Sequence, residues 1–248
     1  MAIEFTGSGD PSRSMALLWR SPESSAVRRG PRSSLGVGRI VSAAVRVADA
    51  EGLPAVSMRR VAGELGVPAM TLYSHVPGKG ELVDLMLDAV LGELYPDEQP
   101  PTSGNWRSRV EAVARANRQF LLRHPWQLSI GRPPLGPHRM RKYEIELRAV
   151  DGMGLSEIQM DLLVTLLDGF VRGAVDSVLQ AAEPTPSERA VMESYSQQVL
   201  DPDRFPTATR VAAAVGQEPS ADAADRAFEF GLERLLDGIG VLMLNPSR

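Results

Sequence analysis

The chain has 248 residues, 43% hydrophobic and 23% charged, with a formal net charge of −4. This balance suits one or two globular domains with a real core, and excludes collagen-like, coiled-coil and wholly disordered chains. No run of 18 apolar residues and no uninterrupted apolar leader is present, so neither membrane span nor signal peptide is expected; zero cysteines exclude disulfides, cysteine-ligated zinc, iron–sulfur clusters and thiol catalysis, and a cytoplasmic protein is the simplest expectation.

Residues 1–34 are rich in Ser, Pro, Gly and Arg and read as a mostly flexible extension. One apolar patch within it, Met15-Ala16-Leu17-Leu18-Trp19, is able to form a helical turn that docks elsewhere. From residue 37 to 50 the set Ile40, Val41, Ala44, Val45, Val47 and Ala48 falls at helical spacing, and Gly52 stops the helix. Ser57 is placed to cap a second helix whose inward residues are Val61, Ala62 and Leu65. Gly66 follows at once, a residue that takes the positive φ of a tight turn. Pro68 suits the first turn of a very short third helix reaching Ser74. Pro77-Gly78 breaks that helix, and a fourth starts near Lys79 and runs through Leu82, Leu85, Met86, Ala89 and Val90.

Residues 96–104 are polar, proline-rich and unable to continue a helix, which makes them a linker. Helices are then predicted at about 106–123, 138–151, 157–181, 188–199, 207–215 and 222–244. No segment alternates with period two between turn residues, so no sheet is expected. The predicted fold is all-α: an extension (1–34), an N-terminal three-helix helix-turn-helix domain (35–95), the linker, and a larger helical domain (105–248).

Charge divides along the same line. Between residues 26 and 80 eight basic residues face three acidic ones, leaving +5, so the remainder carries −9. A basic first third suits an anionic polymer. Two helices on a tight glycine turn, the second only two turns long, have the geometry that sets a short helix in the DNA major groove. Leu72 and Val76 would anchor that helix from within, leaving Ala69, Met70, Thr71 and Ser74 toward base edges. The hydroxyls of Thr71 and Ser74 donate or accept, while Ala69 and Met70 suit thymine methyls.

Three stretches carry a resemblance: Ile40-Val41-Ser42-Ala43-Ala44 with Asp49-Ala50-Glu51-Gly52-Leu53, then residues 57–67, then Ala69-Met70-Thr71-Leu72-Tyr73-Ser74-His75-Val76-Pro77-Gly78-Lys79. Over some sixty residues the chain resembles the tetracycline-repressor-type (TetR) regulators. The resemblance implies that Tyr73, His75 and Lys79 contact phosphates, which position a protein without specifying sequence. Lys79 also starts a helix, where free N–H groups and the dipole favour a phosphate. Arg59 joins the candidate DNA-binding set. For His75 a capping role in the loop stays open, and Arg28, Arg29 and Arg32 either enter a minor groove or are merely solvated.

In the larger domain, the 157–181 helix carries Asp161, Asp168, Arg172 and Asp176 on one side and is apolar almost everywhere else. Gly169 and Gly173 on it, with Phe228, Gly231, Leu235 and Gly238 on the last helix, look like the pair that a twofold axis doubles into the family's dimer interface; ordinary packing within the chain is the alternative. Phe228-Glu229-Phe230-Gly231-Leu232 and the His124-Pro125-Trp126 corner resemble the tetracycline-repressor subgroup in particular. A ligand pocket for a small apolar or amphipathic molecule is expected among Val113, Asn117, Phe120, His138, Met140, Tyr143, Leu147, Leu163, Leu166, Leu167 and Phe170. Asn117 there either meets the ligand or bonds another helix.

Gly36-Val37-Gly38 lacks the third glycine of a dinucleotide fingerprint, Gly78-Lys79-Gly80 is no phosphate loop, and three scattered histidines suggest no metal site. No catalytic residue, metal or cofactor is expected. The sequence therefore predicts a homodimer that binds double-stranded operator DNA, with no membrane role, placing two short helices in successive major grooves about 34–36 Å apart. Repression relieved by a small ligand is the first reading; a DNA-binding dimer with no effector is the second, and an enzyme fused to a DNA reader the third.

Overall fold

The computed structural model describes residues 10–20, 35–97, 104–131, 135–180, 187, 191, 195, 202–217 and 222–244. Among these residues there is no β-strand. The helices in chain order are α1 (Pro11–Leu18), α2 (Val37–Glu51), α3 (Met58–Leu65), α4 (Ala69–Tyr73), α5 (Lys79–Leu91), α6 (Trp106–Arg123), α7 (Pro137–Val150), α8 (Glu157–Gln180), α9 (Pro206–Val215) and α10 (Ala223–Leu244). Short 3-10 turns cover Leu53–Ala55 and Pro125–Ser129. The expected 188–199 helix lies almost wholly outside the described residues, as do most of the linker and Arg28, Arg29 and Arg32 of the extension.

Local chemistry sets the boundaries of the head. Ser57 accepts from Arg60 N at 3.1 Å and starts α3. Gly66 ends it at φ 67°, a left-handed position, with its own N–H bonded back to Ala62 and Gly63 carbonyls. The turn is thereby short enough to set α4 across α3. Leu72 and Val76 are fully buried beneath α4, each adding on the order of 2 kcal/mol of apolar burial. Asn105 caps α6 through Ser108 N, 3.1 Å away.

Two cores result. One joins α1 to α5 and includes Ile40, Val47, Val61, Leu82 and Met86. Phe120, Trp126 and Ile130, from beyond the linker, also pack into it. The other lies among α6, α7, α8 and α10, around Val110, Leu163, Val171, Phe228 and Leu232.

The expectation of a flexible residue 1–34 extension needs correction over part of its length. Asp10 caps α1 through Ser12 N at 2.9 Å, and the helix docks along α5. Its apolar side supplies Leu17 and Leu18 to the first core, while Ser14 is buried against Asp84. The apolar patch Met15–Trp19 marked the docking turn, but the Ser/Pro-rich residues before it concealed that the helix starts at Pro11.

The polar stripe of α8 turns inward as well. Asp161, Asp168 and Arg172 line a cavity, whereas Ile158, Leu162 and Leu166 point outward.

Candidate functional site

The short helix α4 presents Met70 at 76% exposure, with Thr71, Tyr73 and Ser74 also exposed and Ala69 half-buried. Arg59 on α3 is exposed beside them, and His75 and Lys79 are half-buried at the turn into α5. Ser74 Oγ donates to Thr71 O at 2.8 Å, which leaves its lone pairs to accept. The eight sequence-predicted residues of this set thus lie along one stretch of α3, α4 and the start of α5. The surface they form carries apolar, hydroxyl and phenol groups at its centre and cations at its edges, a combination suited to base edges inside and phosphates outside.

Not all of the head's positive charge faces that way. Arg60 Nη2 lies 2.6 Å from Glu51 Oε1 and Arg60 Nη1 3.2 Å from Glu64, while Arg46 pairs with Glu64 at 3.7 Å. The hydrogen bond from Arg60 holds the Glu51 carboxyl below its ordinary range and raises the guanidinium. These pairs brace α2 against α3.

The His-Pro-Trp corner joins body to head. Trp126 Nε1 donates to Asp49 Oδ1 at 2.7 Å, and His124 Nδ1 lies 2.8 Å from the same oxygen. His124 is nearly fully buried, with Glu93 on its other side.

A cavity of about 570 Å³ opens among α5, α6, α7 and α8. Leu87 and Leu91 of α5, Phe120 and Leu121 of α6, Ile130, Leu135, Met140 and Val164 form its apolar walls. Its polar lining is Asn117, Gln127, Arg139, Lys142, Tyr143, Glu146, Asp161, Thr165, Asp168 and Arg172. At one end Asn117 Nδ2 donates to Glu146 Oε1 at 2.7 Å and to Val113 O at 3.0 Å; Tyr95 OH donates to the same Glu146 oxygen at 3.0 Å. Lys142 Nζ sits 2.8 Å from Glu146 Oε2, so the buried carboxylate is balanced by a cation. Burial, and then the Glu146 charge, push the Tyr95 phenol far above its ordinary value and keep it a donor. Tyr143 OH donates to Asp161 at 2.7 Å, and Arg172 to the Gln127 carbonyl at 3.2 Å. Asn117 is therefore bonded within the chain and also lines the cavity.

Of the sequence-predicted pocket, Asn117, Phe120, Met140 and Tyr143 line this cavity, and Val113 and Leu167 line a narrow recess beside it. The other five need correction. Leu163 is buried in the second core and Leu147 packs on it. Leu166 is 55% exposed on the outer side of α8. Phe170 stacks on Phe228 with ring centroids 5.5 Å apart. His138 turns away to Asp88, with Nδ1 2.9 Å from Oδ2. The walls from α5 and from Gln127 and Ile130 were missed, because a helical period reports which residues point inward but not which inward neighbours stand apart.

Asp88 ties α5 to α7. Its Oδ1 accepts from His138 N and Arg139 N at 3.1 and 3.2 Å, capping a helix whose own N-cap, Gly136, has no side chain. Any Cβ at 136 would overlap the Asp88 carboxyl.

On the outer side of α8 and α10, Ile158, Leu162, Leu166, Phe230, Val241 and Leu244 are each more than half exposed. Gly169, Gly173 and Gly238 have no atom within 4 Å of where a Cβ would stand, so this chain leaves them uncovered. Phe228 and Gly231 were expected on the same face but are used internally: Phe228 is buried, and a Cβ at 231 would come within 2.6 Å of the Phe170 ring. Leu235 is partly buried against the second core. No described helix is long and apolar enough to cross a membrane, and no cluster of three or more His, Asp or Glu among the described residues suits a metal.

A helix-turn-helix head on an all-helical body with an internal cavity defines the class of DNA-binding transcription regulators. Residues 40–86 match the bacterial regulatory proteins of the tetR family, and residues 99–243 match the tetracyclin repressor-like C-terminal domain. The chain belongs to the tetR family. It is 41% identical to the HTH-type transcriptional repressor DrrR1 of Streptomyces coeruleorubidus, over 98% of this chain and 90% of that protein. The crystal structure of apo ActR from Streptomyces coelicolor superposes with a TM-score of 0.70 at 30% identity, covering 87% of this chain and 99% of ActR. ActR in complex with actinorhodin superposes with a TM-score of 0.68 at 31% identity, over 83% and 95% of the respective chains. These relatives are regulators, not enzymes.

Proposed function

We propose that the chain is a homodimeric transcriptional repressor that leaves its operator when a small amphipathic molecule fills the cavity. The carrying observation is that α5 serves both sites: Leu87 and Leu91 wall the cavity, and Lys79 opens the same helix next to α4. An occupant that prefers one placement of Leu87 and Leu91 changes the placement of Lys79 and α4. Only differential affinity for the two arrangements can do this, a coupling typically worth ~1–3 kcal/mol. Ala69, Met70, Thr71 and Ser74 read bases; Arg59, Tyr73, His75 and Lys79 hold phosphates. Pairing uses the uncovered face of α8 and α10, with Gly169, Gly173 and Gly238 at its closest approach.

The repressor relative and the actinorhodin complex of ActR support the ligand-responsive reading. The wall chemistry does too, since apolar side chains alternate with fixed donors and acceptors. A DNA-binding dimer without effector draws support from the internal partners of Asn117, but it leaves a cavity of about 570 Å³ without a use. Selecting bound DNA from a random pool, then screening compounds for release of the winning site, decides between them. Two-fold related half-sites and at least one releasing compound are expected. A protein that stays monomeric at micromolar concentration, or that prefers no oligonucleotide, overturns the proposal.

A further inference from the structure

Helix α1 runs alongside α5 in the same direction and is bonded at both ends. Asp10 N donates to Glu81 Oε1 at 3.1 Å, two residues after Lys79. Midway, Ser14 Oγ donates to Asp84 Oδ2 at 2.6 Å, with both residues 2% exposed. At the far end the Trp19 indole donates to the Leu135 carbonyl at 3.0 Å, and Leu135 lines the cavity. Leu135 adjoins Gly136, the residue pressed against Asp88 of α5.

We infer that α1 is a coupling strap: it carries the position of the cavity rim at Leu135 to the DNA-facing end of α5, with Trp19 as the positioning residue at the rim. Three observations support this assignment. A serine buried on a carboxylate is poor packing but good registration, because the hydrogen bond fixes α1 along α5 where apolar contact alone would let it slide. Trp19 is 54% exposed, so its indole is held at the rim by one directed bond and not by burial. The strap also closes a loop of contacts, rim to Trp19, Ser14 to Asp84, Asp10 to Glu81, that parallels α5 itself. A cavity occupant that lifts Leu135 breaks the Trp19 bond and frees the strap; conversely, loss of that bond is felt at Glu81 and thus next to Lys79.

The inference rests on the DNA-binding reading, and one experiment separates the two. An operator selected with the wild-type full chain is titrated with the wild type, Trp19→Phe and Ser14→Ala, and hydrogen exchange is followed across residues 11–18 with and without DNA. Both variants are expected to bind the operator at least threefold more weakly at a temperature where each is fully folded; Trp19→Phe should melt at nearly the wild-type temperature, whereas Ser14→Ala, which takes a donor from the buried Asp84 carboxylate, should melt lower. By reciprocity of linkage, operator DNA slows exchange across α1 in the wild type, and Trp19→Phe abolishes that protection. Wild-type affinity in both variants overturns the strap, as does weakened binding with α1 exchange indifferent to DNA. If Trp19→Phe does not fold, Ser14→Ala alone decides by the same two readings. A wild-type chain that selects no DNA site sinks the regulatory reading and the strap together.

Discussion

The sharpest stability prediction concerns Gly136 and Asp88. Replacing Gly136 with Ala leaves the backbone unstrained, since φ −79° and ψ 166° are open to any residue. The new methyl nevertheless overlaps the Asp88 carboxyl, which is 5% exposed and holds three bonds: His138 N, Arg139 N and His138 Nδ1. Bonds to a charged group contribute roughly 1.5–3 kcal/mol each, but donors at this half-open helix start recover part of that from water. Gly136→Ala should therefore cost about 2–4 kcal/mol, seen as a fall in melting temperature of about 5–15 °C for a chain of this size. Asp88→Ala should cost a similar amount through the same three bonds. The decisive variant carries both changes. With the carboxyl gone the methyl has room, so the double variant should be no less stable than Asp88→Ala alone, a coupling of about 2–4 kcal/mol in the cycle. Additive losses, measured by calorimetry or denaturant titration, would refute the claim that one carboxylate caps α7 and bars a side chain at 136.

Four further outcomes are expected. Lys79→Ala should weaken operator binding across all sequences and flatten the slope of log affinity against log salt by about 0.9, measured by anisotropy at several salt concentrations; an unchanged slope removes its phosphate role. Gly231→Ala should destabilise the fold by about 1–3 kcal/mol by driving the Phe170 ring off Phe228, whereas Gly169→Glu should leave the subunit folded yet shift sedimentation toward monomer. Because burial raises the Tyr95 pKa above its free value of 10.0, its contribution to stability is complete below that pH and is lost progressively above it; Tyr95→Phe should flatten the alkaline limb of a melting-temperature profile, and an identical limb would contradict the assignment.

The reading head was legible because its constraints are local. Ser57, Gly66 and Pro68 each fix a boundary through their own backbone chemistry, and Leu72 within the short helix and Val76 just after it are the two buried anchors. The body was legible as helices, with α6 spanning 106–123 as expected, but not as a site. Phe170 and Leu166 are both apolar and four residues apart, yet one stacks in the core and the other faces out; their period is the same, and only the position of neighbouring helices separates them. Gln127 and Ile130 sit in and beside a 3-10 turn, where no period marks an inward side. Glu146 and Lys142, one turn apart, resemble a solvated pair on an exposed helix, and their role as a cavity wall depends on Asn117 and Tyr95 arriving from elsewhere. Gly231 failed as a dimer candidate for a related reason: a missing side chain signals close approach but not by which neighbour.

Helix α5 is thirteen residues long, and on the proposed reading its two ends would answer to different molecules. A genetic screen should therefore return opposite phenotypes from this single short segment. Changes near Lys79 give regulators that no longer silence their target, whereas changes near Leu87 and Leu91 give regulators that silence it permanently, deaf to any signal. Asp84, which lies between them, is where one substitution should do both.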